Sequence, residues 1–133
     1  MEAMLFQAHS GVRYLVLLAG AAALIAAIIA ATRGGKGADA TLTRIFVGVL
    51  DLQATLGIIL LIMWTFYGQL IGHIIIMIAA VTIAHIGSAR AKKQTVPVAA
   101  SRMRAITIGI TLLLIVAAIM SIGRPIFGSG AVT

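Results

Sequence analysis

Five ionisable residues, His9, Arg13, Asp51, His73 and His85, lie within long apolar stretches of this sequence. Their types and spacing bound the chemistry the chain could perform. Two imidazoles presented at one depth by facing helices are the donor set of a b-type haem, ligating iron from both faces while the helices bury the macrocycle. Two histidines with no third ligand make a poor site for any other transition metal. An Asp–His pair can relay protons or hydrogen-bond a quinone. The chain has no Cys, which removes thiol chemistry, iron–sulfur ligation and covalent haem attachment. It shows no Gly-rich phosphate loop and no internal repeat, and the absence of Asn removes N-glycosylation.

The elements that hold these residues are set by composition. Of the 133 residues, 62% are hydrophobic and 10% charged, with a mean hydropathy of +1.16. A soluble domain carries about 25% charged residues, so a soluble globular domain is excluded, and so is disorder. An all-α integral membrane protein remains. Four runs reach the ~20 apolar residues that a spanning helix needs: about 4–32, 43–66, 70–89 and 98–122. The loop Arg33-Gly-Gly-Lys-Gly-Ala-Asp39 ends the first, Tyr67-Gly68-Gln69 breaks the second from the third, Arg90 to Gln94 end the third, and Gly123-Arg124-Pro125 stops the fourth. The first run lacks the n-region and cleavage site of a signal peptide, so it reads as a retained span. The simplest architecture is an up-down four-helix membrane bundle forming one domain, with small residues such as Ala19 to Ala23 and Ala79-Ala80 allowing close approach.

The net charge of +7 would suggest nucleic acid in a soluble protein. Here the cations flank apolar spans, so topology and anionic headgroups account for them and no nucleic-acid partner is expected. Arg33, Lys36, Arg44, Arg90, Lys92, Lys93, Arg102 and Arg104 fall in or beside the two connections on one side, leaving Arg13 and Arg124 on the other. The positive-inside rule then puts both termini outside, with Trp64 and Tyr67 in an outer aromatic belt.

In that topology His9 and His73 share the outer side, Arg13 sits one turn deeper than His9, and Asp51 and His85 share the inner side. His73 and His85 are about 18 Å apart along one helix and about 120° apart around it. Asp51 is a poor haem ligand, so one outer haem is expected rather than two. Structural readings stand beside these. His9 can cap the first span. Arg13 can snorkel, bond carbonyls at the outer end of the third span or balance a haem propionate. Asp51 and His85 can form a buried pair that only locks spans two and three. Gln53 and Thr55 are expected as interhelical hydrogen bonders, and Met63, Met77 and Met120 as packing.

The segment His9-Ser-Gly-Val-Arg13-Tyr14 resembles the His-Ser-x-x-Arg-Tyr opening of small four-span bacterial membrane proteins commonly labelled cytochrome b. Asp51-Leu-Gln53-Ala-Thr-Leu-Gly57 is similar to their second-span His/Asp-x-Gln-x-x-x-Gly segment. His85-Ile-Gly87-Ser-Ala-Arg-Ala-Lys92-Lys93 is similar to the end of their third span. The third span departs where it begins: Gly72 and Ile74 flank His73 in place of the family's Glu and Pro. The resemblance covers most of spans one to three and is weak in span four. It implies a multi-pass protein of the bacterial inner membrane that carries haem b and transfers electrons.

The leading expectation is therefore a b-type cytochrome-like protein, or such a subunit of a larger respiratory or photosynthetic complex. His9 and His73 would hold one haem near the outer surface, and Arg13, with Arg124, would balance its propionates. Electrons would pass to other membrane subunits or a quinone. One alternative is a cofactor-free or pigment-binding accessory subunit. Another is a small proton-coupled transporter using Asp51, ranked last because such an acid belongs nearer the midplane. No catalytic substrate is named.

Overall fold

The computed structural model describes residues 2–63 and 69–122. They form four helices: α1 (Glu2–Thr32), α2 (Asp39–Met63), α3 (Gln69–Lys92) and α4 (Pro97–Ser121). All four are long and apolar enough to cross a membrane. Trp64, Tyr67 and Arg124 lie outside the described residues, as does the stop after the fourth span.

Helix boundaries depart from the apolar runs at identifiable places. α2 starts at Asp39 rather than near Thr43, because an acid in the first turn suits the helix dipole and this one is also bonded to α4. α3 continues past Ala89 to Lys92. Ala91 is buried there, and Arg90 and Lys92 suit the negative end of the dipole. α1 stops in a Schellman turn: the Gly35 N–H donates to the Ala30 carbonyl at 2.8 Å, and Gly34 takes φ +70°. Gly35 is fixed twice over, by its φ of +83° and by a close approach to Pro97 that leaves no room for a Cβ. Pro97 opens α4, where its missing N–H costs nothing.

α1 packs on α2 and on α4, and α3 packs on α4; α2 meets α3 and α4 only lightly, and the Cα atoms of α1 and α3 stay more than 8 Å apart. The close pairs are antiparallel. A Cβ on Gly20 would meet Phe46 of α2 and Leu112 of α4, His9 rests on Gly57, and Gly35 rests on Pro97. α3 and α4 pair the same way, through Gly87 against Thr107 and His73 against Ala118.

Each helix turns a seam with alternating steps of four and three residues toward its neighbours. On α1 the seam is His9, Arg13, Val16, Gly20, Ala23, Ala27 and Ala30; on α2 it is Asp39, Thr43, Phe46, Leu50, Gln53, Gly57 and Leu60. On α3 it is His73, Met77, Ala80, Ala84, Gly87 and Ala91; on α4 it is Ser101, Arg104, Ile108, Thr111, Ile115 and Ala118. This is the knobs-into-holes spacing of a left-handed helix pair. Small residues make up most of it on α1 and α3, because helices in lipid associate by close packing rather than by hiding apolar surface from water. The central core joins Val16, Phe46, Leu50, Ala84, Ile108 and Ile115.

Candidate functional site

The seam carries His9, Arg13 and His73 into helix interfaces. The His9 ring packs over Gly57, whose Cβ, were there one, would come within 3.1 Å of His9 Cε1. The missing side chain therefore makes the space the imidazole fills. One turn along the same interface, Arg13 and Gln53 occupy facing seam positions and are both buried. The Arg13 guanidinium donates to the Tyr14 hydroxyl at 2.9 Å and lies 4.8 Å from the centre of that ring. It is buried instead of snorkelling.

His73 is held from α4. Its Nδ1 lies 2.9 Å from the Ala118 carbonyl oxygen. A carbonyl only accepts, so Nδ1 carries the proton and a neutral ring keeps its lone pair on Nε2. That is the tautomer and the outer hydrogen bond that metal-ligating histidines use. His9 and His73 are thus turned on different neighbours, α2 and α4, from helices whose Cα atoms stay more than 8 Å apart.

Asp51 and His85 do meet, with His85 Nε2 2.7 Å from Asp51 Oδ1. The pair is half-exposed rather than buried, at 46% and 51% side-chain exposure. The reason is register: each sits one residue beyond its seam, after Leu50 and Ala84, and so points to the flank of the α2/α3 contact. Because α2 begins at Asp39, Asp51 falls midway along the helix rather than near its start, which removes the depth argument for ranking a transporter last. The pair lines a groove of about 540 Å³ together with Arg44, Gly48, Lys92 and Lys93.

A second polar cluster was not anticipated from the sequence. Asp39 is buried, and its Oδ2 accepts from Ser101 Oγ at 2.8 Å and from the Arg104 guanidinium at 2.8 Å. Asp39 reads as a loop acid and Arg104 as a topological cation, yet they form a shielded ion pair binding α2 to α4. The available signal was the spacing of Ser101 and Arg104, which puts both on one face of α4.

Other expectations shift in detail. Thr55 bonds the Asp51 carbonyl within its own helix instead of a neighbour. Gln53 is buried, but its Oε1 has no hydrogen-bond partner among the described residues. Met77 packs against the core, whereas Met120 is exposed. No group of three or more His, Cys, Asp or Glu suited to a metal ion occurs among the described residues.

These features define a multi-pass helical membrane protein with polar residues threaded along its helix interfaces. No family model, curated protein or solved structure matches the chain.

Proposed function

We propose that the chain is a cytochrome-like electron-transfer protein or subunit, an up-down four-helix bundle of the bacterial inner membrane with both termini outside. His9 and His73 are the proposed ligands of one b-type haem. The observation that carries this reading is the His73 Nδ1–Ala118 hydrogen bond, which leaves the Nε2 lone pair for iron. Bound haem would supply reversible one-electron chemistry.

Two residues beside His9 would serve such a group. Arg13 brings a buried cation one turn from His9, suited to balancing a propionate carboxylate. Gln53 brings a buried amide oxygen with an unmet hydrogen bond beside the same interface, a kind of atom that usually has a partner in the complete assembly.

A second reading has its own observation. Each imidazole already has a structural role, His9 filling the space over Gly57 and His73 tying α3 to α4. On that reading the chain is a cofactor-free accessory subunit whose apolar outer faces meet partner subunits. Haem content of the protein purified with its native membrane partners separates the two. The electron-transfer reading predicts one non-covalent haem per chain, reduced to a small fraction in His9→Ala and in His73→Ala. Haem-free protein from haem-replete cells, retaining its partners, would establish the accessory subunit instead.

A further inference from the structure

The α2/α3 flank is built differently from the other helix contacts. α1/α2 and α3/α4 close along small-residue seams, whereas α2 and α3 meet only lightly and leave a groove between them. Its floor is open at Gly48, which contributes no side chain and where a built Cβ meets nothing within 4 Å. Its rim at the basic end is Arg44, Lys92 and Lys93. Deeper in, about 10 Å along α3 from Lys92 by helix rise, lies the Asp51–His85 pair. Oδ2 of Asp51 and Nδ1 of His85 make no further hydrogen bond among the described residues.

We propose that this groove binds the headgroup and glycerol region of one anionic membrane phospholipid. The three rim cations match a phosphate diester. The apolar stretch past Val47, Gly48 and Ala89 takes the start of an acyl chain. A general attraction of the basic end for anionic lipid would not need a groove: Arg33, Lys36 and Arg102 are equally basic and exposed but do not line it. Basic pockets between spanning helices are where acidic headgroups bind specifically. This inference is independent of the haem reading.

The test is native mass spectrometry of the full chain released from detergent, titrated with phosphatidylglycerol, phosphatidylcholine or inorganic phosphate. Three variants are compared with wild type: the groove triple Arg44→Gln/Lys92→Gln/Lys93→Gln, the control triple Arg33→Gln/Lys36→Gln/Arg102→Gln, and Gly48→Leu. Circular dichroism confirms that each is folded. The expected result is one phosphatidylglycerol per wild-type chain, favoured at least tenfold over phosphatidylcholine. That affinity falls at least tenfold in the groove triple and in Gly48→Leu, which changes no charge, and is retained in the control triple. Equal losses in both triples, an unaffected Gly48→Leu, or indifference to headgroup charge would each overturn the proposal. Displacement of the lipid by millimolar inorganic phosphate would overturn it too, assigning the rim to a soluble anion.

Discussion

Two aspartates in one helix show how much the environment of a residue decides. Asp39 is shielded and holds both Ser101 and Arg104, while Asp51 holds one half-exposed histidine. Removing one partner of a buried ion pair strands the other charge and costs about 3–5 kcal/mol. At Asp51, substitution by Asn removes a carboxylate from the middle of a span, where a charge is costly, and keeps an amide that can still hydrogen-bond His85. Asp39→Ala is therefore expected to lower thermal stability sharply in detergent, and Asp51→Asn hardly at all. The double variant Asp39→Leu/Arg104→Met should recover much of the loss, because no buried charge is left unpaired. Equal Tm shifts for Asp39→Ala and Asp51→Asn would show that the shielding of Asp39 has no energetic consequence. Gln53 gives a second residue-scale prediction. Its orphaned oxygen costs about 1–3 kcal/mol in the bare protein, so Gln53→Leu should stabilise haem-free protein while lowering haem occupancy. A variant that loses stability without any change in occupancy would remove Gln53 from the site.

At the scale of the helix, the glycines separate by position. Gly20, Gly57 and Gly87 lie on the seams, where a Cβ would press on a neighbouring helix. Gly11, Gly48, Gly72 and Gly109 lie off them, and a Cβ there meets nothing within 4 Å. Gly87→Ala forces the Thr107 side chain aside and should cost about 1–3 kcal/mol, the usual penalty of overpacking. Gly109→Ala should instead gain up to about 1 kcal/mol from helix propensity. Thermal unfolding of the two variants side by side checks both signs, and a destabilised Gly109→Ala would contradict the open space seen there. The same seams explain what the sequence could and could not disclose about the site. Four helices follow from four apolar runs. Which face of each turns inward does not, because lipid-facing Leu and Ile hide any contrast between an apolar and a polar face. The readable signal was instead the four-three spacing of small and polar residues. His9, Arg13, Gln53, His73, Ser101 and Arg104 all obey it, and Asp51 and His85 miss it by one. The approach of Asp51 to His85 was legible from shared depth. Their half-exposure was not, because it depends on that one-residue offset.

Across the whole molecule, large apolar side chains face outward on every helix, among them Leu18, Ile62, Ile78 and Leu113. Such a surface suits lipid or partner subunits and not water. The cations concentrated at one end make the topology testable. The natural absence of Cys allows single-cysteine labelling without a background. Ala3→Cys is expected to react with an impermeant maleimide in intact cells, and Lys36→Cys only after permeabilisation. The reverse pattern would invert the bundle and with it the side on which His9 and His73 lie. Composition alone established the membrane class. The arrangement of helices was beyond it, because short loops make α2 and α3 sequence neighbours, yet it is α4 that takes up most of α3 and a face of α1.

The most direct test of the central claim is a dithionite-reduced minus oxidised visible spectrum. It is recorded on the protein purified in mild detergent, with His73→Ala and Asp51→Asn measured in parallel. The account predicts a single sharp b-type α-band in wild type, retained in Asp51→Asn and lost in His73→Ala while that variant stays helical. A flat wild-type spectrum in protein that keeps its native partners, or a band indifferent to His73, would contradict it.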